Sequence, residues 1–494
     1  MQEYPLRHDG ARWELIYGSY DGVARFAVQE LQASVQTFLP YVIRCVPAAG
    51  AAAHPKQHAV LIGTPGAHSM IAELAARHLI TIPDRPQAYT IACMASPWAA
   101  DHRVLVVAGR DDAGLVYGVT DLHARVLAPL GRAGDHDPQR LRAHLDTLAH
   151  FSISEFPLIT NRGIWTWGYV VYDYRSFITN MARMKMNMLT IWNDQPPLNI
   201  DDIISHAHAR GVKIVLGFPW GWGMNLDVNS AADRRRIMEM VLRDYETHYR
   251  HLALDGIYFQ TLTEHHTTVY AGRPLAAIVC EMVNEIASEL FKIHPHLRIQ
   301  FGLHATSIQD HYVELAALDP RVTIVWEDAG AIPYAYAPEA DNPHAPEGFR
   351  TFEQTVAYSV KLAAFRPGTE FAMVPKGWTC LDWAHEFEHH GPFILGERER
   401  QFIRERCTAR QVHWDRHSAM WARNYALAVQ FYREMLKCQP SSMTVTGLIE
   451  DGLFEAHVQP SAGLFAETLW NAERAPETIL RLGECLSAAA NERI

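Results

Sequence analysis

The sequence predicts an α/β protein, a (β/α)8 TIM barrel preceded by a small α+β domain, on two observations. From about residue 158 onward, short apolar runs alternate with stretches of amphipathic helical spacing, the pattern of βα units on a parallel sheet. These runs number eight over roughly 300 residues, which is the size of such a barrel. A doubly wound sheet would open on a Gly-rich phosphate turn. Here the first turn is Thr166-Trp167-Gly168-Tyr169, which offers no phosphate cradle.

The expected organisation is a small α/β domain at 1–127, a connector at 128–157 and the barrel with a closing helix at 158–494. In the first region, apolar runs at 13–17, 41–46, 59–62, 89–93 and 103–108 read as strands. Helical spacing covers 24–38, 66–79 and 112–126, the last opened by Asp111 and Asp112, which suit a helix N-terminus. Gly63-Thr64-Pro65-Gly66 reads as a tight turn, since it lacks the Lys and spacing of a phosphate loop. A polar helix is expected near 139–148. The eight barrel strands are expected at 163–167, 188–192, 213–218, 256–261, 298–303, 322–326, 370–374 and 443–448. Helices are expected at 174–184, 233–249, 275–292, 352–365 and 476–491.

Composition narrows the function. The 494 residues carry 44 basic and 55 acidic side chains, a net charge of −11, which argues against a nucleic-acid groove. No apolar run reaches membrane-spanning length, so no membrane partner is expected. The N-terminus lacks a basic stretch followed by an apolar one, and the 7 cysteines form no CxxC pair. A cytoplasmic protein with reduced thiols and no cofactor is the resulting expectation. The 13 Trp are suggestive, because an aromatic face matches the apolar face of a sugar ring.

Barrel chemistry sits at the C-terminal ends of the strands. Those ends supply the expected substrate-binding residues: Trp165, Trp167, Trp192, Asn193, Asp194, Trp220, Trp222, His265, His304, Lys376, Trp378 and Glu450. Glycoside hydrolysis needs two carboxyl groups flanking one bond. Glu264 after strand four and Glu327 or Asp328 after strand six are the best pair, because their strands are next but one around the ring. Glu264 follows an apolar strand, where partial burial would raise its pKa toward that of a general acid. Its competing role is at the start of the next helix, and one of Glu327 and Asp328 would serve as a cap. Neighbours on a strand point to opposite faces, so only one of that pair should enter the site directly.

Competing motifs carry less. His385-Glu386-Phe387-Glu388-His389 matches the zinc-peptidase pattern, but Gly391-Pro392 ends any helix there and no third ligand is evident, so no metal is expected. His206 and His208 fall two apart on a helix and do not share a face.

Two stretches carry a family resemblance. The first comprises Ala59-Val60-Leu61-Ile62-Gly63, the run 104–109 and Gly114-Leu115-Val116-Tyr117-Gly118. The second is the barrel opening, Asn161-Arg162-Gly163-Ile164-Trp165 with the run 181–189. Together these segments resemble the small domain and first barrel strands of β-N-acetylhexosaminidases and α-glucuronidases. The resemblance implies a glycosidase whose acid is Glu264. Hexosaminidases that use substrate assistance carry an Asp-Glu pair at the end of strand four. Here the pair is Thr263-Glu264, which keeps the acid and loses the acetamido partner. The α-glucuronidase plan, with the base taken from a later strand, fits better, although this chain is shorter and lacks that family's C-terminal helical extension.

The expected protein is therefore an exo-acting glycoside hydrolase cleaving a terminal sugar, with a uronic acid as one candidate, from short oligosaccharides. The alternatives are a β-N-acetylhexosaminidase-like hydrolase, a non-catalytic carbohydrate-binding barrel and a zinc metallopeptidase. A uronate would need a cation, for which Lys376 and Arg162 are candidates. The substrate is the only expected small-molecule partner, and a large barrel face would support a homodimer.

Overall fold

The computed structural model describes residues 11–51, 54–133, 145–221, 224, 226–227, 229–261, 268–304, 308–327, 350–378, 393–449 and 454–493. The chain divides into two compact units, residues 1–157 with 209–211, and residues 158–208 with 212–494.

The first unit holds strands β1 (Trp13–Tyr17), β2 (Arg44–Pro47), β3 (His58–Gly63), β4 (Tyr89–Ala95), β5 (Arg103–Gly109) and β6 (Phe151–Glu155). They form one sheet in the order β2-β1-β3-β5-β4-β6, parallel across β2, β1, β3 and β5 and antiparallel across β4 and β6. Strand β6 lies in the segment expected as a connector and pairs with β4. Every residue of β3 is buried, as a strand covered on both faces must be. Helix Ser69–Ala76 lays Met70, Ile71 and Leu74 against Leu61, Val104 and Val106 on one face. Helix Asp112–Leu122 crosses the other face, where Gly118 sits over Val107. Its cap is Asp111, whose carboxylate accepts from Gly114 N at 2.9 Å and Gln87 N at 2.8 Å. The polar helix expected near 139–148 lies mostly outside the described residues.

The second unit is the expected barrel. Its strands are β7 (Asn161–Trp167), β8 (Met188–Trp192), β9 (Lys213–Gly217), β10 (Gly256–Phe259), β13 (Ile299–His304), β14 (Val322–Glu327), β15 (Glu370–Val374) and β16 (Ser442–Leu448), with a short hairpin of β11 (Val269–Tyr270) and β12 (Arg273–Pro274) between. All eight pair in parallel and close in the order β10-β13-β14-β15-β16-β7-β8-β9. Beyond the expected helices, a 38-residue helix, Arg400–Lys437, precedes β16, and helix Pro460–Trp470 follows it.

Polar groups tie the strand starts together. Glu370 accepts from Arg298 and, at 2.9 Å, from Thr323. Thr444 receives Arg298 at 3.1 Å and Asn161 Nδ2 at 2.8 Å, and Lys213 Nζ donates to Asn161 Oδ1 at 2.9 Å. One hydrogen-bonded belt thus spans six strands at the N-terminal rim. Arg162 belongs to this end as well. Its guanidinium donates to the carbonyls of Ile159 (2.6 Å), Thr160 (3.2 Å) and Lys185 (3.1 Å) and lies 5.0 Å from the Trp470 ring centroid. This corrects its candidacy as a uronate partner: a residue that begins a barrel strand is a strand-length away from the C-terminal face.

Beside it, Lys185 pairs with Glu467, and Arg474 reaches the other Glu467 oxygen at 2.7 Å, with Lys185 and Glu467 both fully buried. Removing one partner of a buried pair leaves an uncompensated charge. Lys185→Met should therefore cost about 3 kcal/mol of stability, measured as a lower urea midpoint at unchanged slope.

Candidate active site

Among the described residues of the C-terminal mouth, the Glu327 carboxylate gathers the most polar partners. Glu327 is the last residue of β14, in register with His304 on β13 and Val374 on β15. Val374 belongs to the cluster filling the barrel, so this register points Glu327 inward. Its Oε1 accepts hydrogen bonds from the Tyr258 hydroxyl and from Gln260 Nε2. Its Oε2 lies 3.2 Å from His304 Nε2 and 3.1 Å from Lys376 Nζ. A carboxylate has about four lone-pair directions, and four donors occupy them.

Burial by itself pushes the Glu327 carboxyl up. The Lys376 ammonium, then His304 by charge and hydrogen bond, then the Tyr258 hydroxyl outweigh it and bring the pKa down to about 2. Glu327 is 3% exposed, whereas His304 and Lys376 are 20% and 23% exposed and reach toward solvent.

Tyr258 can reach Glu327 because β13 carries a glycine, Gly302, two residues beyond its register partner Gln300. A Cβ on Gly302 would stand 1.9 Å from the Tyr258 oxygen. Tyr258 also closes an aromatic cluster. Trp165 stacks at 6.4 Å from Trp192, meets Trp167 edge-on at 4.9 Å, and meets Tyr258 edge-on at 5.7 Å. Trp165 and Trp167 are buried and Trp192 is half-buried, so Trp192 is the ring of the three nearest to solvent.

The sequence-derived candidates divide by position. Trp165, Trp167, Trp192, His304, Glu327 and Lys376 come together through the contacts above. Asn193 is spent on the turn, donating to the Gln195 carbonyl at 2.8 Å, and Asp194 is exposed in the wall of a separate cavity. Trp220 and Trp378 lie elsewhere. Trp220 stacks at 3.6 Å on Phe259, which stacks at 4.7 Å on Phe301. These three alternate with inward residues and pack outside the barrel wall. Trp378 stacks at 4.1 Å on Trp421 of the long helix and donates to Ser461 Oγ at 3.1 Å. Glu264, His265, Trp222, Asp328 and Glu450, like the 385–389 motif, lie outside the described residues. Strands β9 and β10 continue pairing toward Glu264: Trp220 N donates to the Gln260 carbonyl at 3.0 Å and Thr261 Oγ1 to the Trp220 carbonyl at 2.7 Å.

Tyr258 and Gln260 are site residues that a reading confined to strand ends passes over. The available signal is alternation: 258 and 260 are two apart on one strand, with glycine at 302 on its neighbour.

No family model and no curated protein matches the chain. Among solved structures, CpGH84B shares the fold with a TM-score of 0.50 at 11% identity, covering 95% of this chain and 70% of its own. CpGH84D follows with a TM-score of 0.43 at 11% identity, covering 97% of this chain and 90% of its own. An O-GlcNAc hydrolase from Thermobaculum terrenum reaches 0.40 at 11% identity, covering 68% and 64%. At such identity, the likeness to CpGH84B defines the architecture. Among the described residues no helix is long and apolar enough to cross a membrane.

Glu327 titrates from an unfolded value near 4.5 to a folded value of about 2. The sign follows: its stabilisation is complete above the unfolded value and is lost as pH falls through the folded one. Glu327→Gln removes the anion between Lys376 and His304. It should cost about 3–5 kcal/mol at neutral pH and flatten the loss of stability between about pH 4.5 and 2, both read from urea unfolding across pH.

Proposed function

We propose that the chain is an exo-acting glycoside hydrolase that removes a terminal sugar from a short oligosaccharide. The observation that carries this reading is the Glu327 cluster, in which a carboxylate holds an ammonium, an imidazole and an amide beside stacked tryptophans at the catalytic end of the barrel. Such a mouth offers donors for sugar hydroxyls and an apolar face for a ring.

Glu264 is assigned as the general acid from its place after the fourth strand. The second carboxylate is Glu327 or Asp328. Because four donors engage Glu327, the two should respond differently to substitution. If Glu327 is a positioning residue, Glu327→Gln lowers stability and activity together, and Asp328→Asn abolishes turnover of an intact fold. If Glu327 is itself the nucleophile, the same stability loss appears, the folded fraction is inert, and azide restores turnover of an activated glycoside by Glu327→Gly, whose vacated space admits the anion.

A hexosaminidase-like hydrolase is the second reading, favoured by the architecture shared with CpGH84B, whose name places it in the GH84 hydrolases. A uronide-cleaving enzyme rests on Lys376, whose ammonium already faces Glu327. A panel of aryl glycosides separates them. Turnover of an N-acetylhexosaminide supports the second reading, turnover of a uronide supports the third, and inactivity on every sugar overturns the glycosidase.

The acid assignment has its own test. Glu264→Gln should slow hydrolysis of a natural oligosaccharide by roughly 10²–10⁴, and a good aryl leaving group should be affected far less because it needs little protonation. Near-normal turnover of the oligosaccharide by folded Glu264→Gln enzyme would falsify the assignment and make Glu450 the next candidate. The reading employs no metal, so dialysis against a chelator should leave turnover unchanged.

A further inference from the structure

Lys376 lies just past β15, whose pairing with β14 ends at Val374. Its ammonium sits on a long, flexible stem, so where the head can settle depends on where the backbone is held. On one side of Lys376, the Pro375 carbonyl accepts from Leu448 N of β16 at 2.9 Å. On the other side, the Gly377 carbonyl accepts from two side chains, His417 Nδ1 at 3.0 Å and Trp421 Nε1 at 3.1 Å. His417 and Trp421 are one turn apart on helix Arg400–Lys437, so a single face of that helix makes both bonds. Lys376 is thus bracketed by a barrel strand and by the long helix.

The helix side of the bracket is closely fitted. A Cβ on Gly377 would stand 2.8 Å from the Trp421 ring, and that ring stacks at 4.1 Å on Trp378. A carbonyl only accepts, so Nδ1 of His417 carries the hydrogen in this contact. Burial lowers the pKa of the His417 imidazole, the Gly377 bond opposes the shift, and Arg416 and His413 on the same helix add to it. The ring is therefore neutral at neutral pH, and it serves as a fixed donor rather than as a charge.

We propose that His417, with Trp421, is a positioning residue of the candidate site: by holding the Gly377 carbonyl it sets the backbone of Lys376, and so lets the ammonium meet Glu327 at 3.1 Å. The proposal adds a residue to the glycosidase reading and rests on that reading only where turnover is measured.

Acetylation of the full chain by acetic anhydride, followed at each lysine by mass spectrometry and scaled to exposed Lys292, tests the placement without a substrate. His417→Leu should raise the rate at Lys376 several-fold. His417→Asn, whose amide N–H can stand where Nδ1–H stood, should return it to near the wild-type rate. Trp421→Phe keeps a ring against Trp378 and deletes the second donor. It should move the rate in the same direction, and it carries the test if His417→Leu does not fold. On a glycoside that the wild-type chain cleaves, His417→Leu should lose about 10-fold in kcat/KM, as a misplaced site residue does, and His417→Asn should recover it. Unchanged acetylation of Lys376 in both folded variants overturns the proposal. So does a rise that His417→Asn shares, which would trace the effect to packing. Raised acetylation with unchanged turnover would remove Lys376 and its clamp from the reaction. Wild-type inactivity on every sugar would sink the glycosidase reading alone, because the acetylation rates read the placement of Lys376 independently.

Discussion

Pairing of the last barrel strand, β16, with the first, β7, joins the two ends of the sheet, and this closure decides which side chains meet. In an open sheet, Trp165 and Tyr258 would stand on distant strands of a curved surface. In the ring they face each other across an interior that admits one side chain in two along every strand. Space inside is then the scarce quantity, and glycines set it. At Gly217 a Cβ would stand 2.7 Å from the Trp192 ring, and at Gly302 it would collide with the Tyr258 hydroxyl. The two small residues let two large ones fill the upper barrel, and Tyr258 in turn places its oxygen on Glu327.

Glu327 links the packing of the barrel to the polar cluster at its mouth. A buried charge survives only if it is matched, and here the matching groups come from three other strand ends. Each donor gains a fixed orientation from the same carboxylate. The cost of burying Glu327 is offset by Lys376 and His304. The belt around Glu370 at the opposite rim repeats the device with Arg298 and two threonines. Charge thus marks both ends of a barrel whose middle is aromatic and aliphatic.

The strands were legible because each is a short apolar run between turn-forming residues, and burial on both faces leaves little else for such a run to do. The side each residue faces was not legible for the same reason. In β9 both faces are apolar, so nothing in the run marks Val215 as inward and Phe218 as outward, and Trp220 reads as a mouth residue when it packs outside. Trp378 misleads differently: the glycines at 377 and 447 leave room for its stack with Trp421, a contact made across distant segments. Helix Arg400–Lys437 escaped because its surface is largely polar. Its signal is sparse but regular, with buried Trp414, Trp421, Ala428 and Met435 at seven-residue intervals. Glu327, His304 and Lys376 were legible as polar residues ending apolar strands, but their mutual contact depends on register, which no single strand encodes.

The charge balance of the Glu327 cluster bears on what that cluster can receive. Glu327 and Lys376 cancel, so the five side chains of the cluster are neutral when His304 is neutral and carry one positive charge when it is protonated. A substrate carboxylate would compete with Glu327 for the same ammonium and would lose, because Glu327 is fixed, buried and already bonded by Tyr258 and Gln260. A sugar hydroxyl faces no such contest. It can accept from a donor whose charge is already balanced, and a neutral ring pays less desolvation than an anion on entering a mouth lined by tryptophan. Among the described residues, the Glu327 cluster is therefore better matched to an uncharged sugar group than to a carboxylate. A uronide would need a cation beyond the Glu327 cluster.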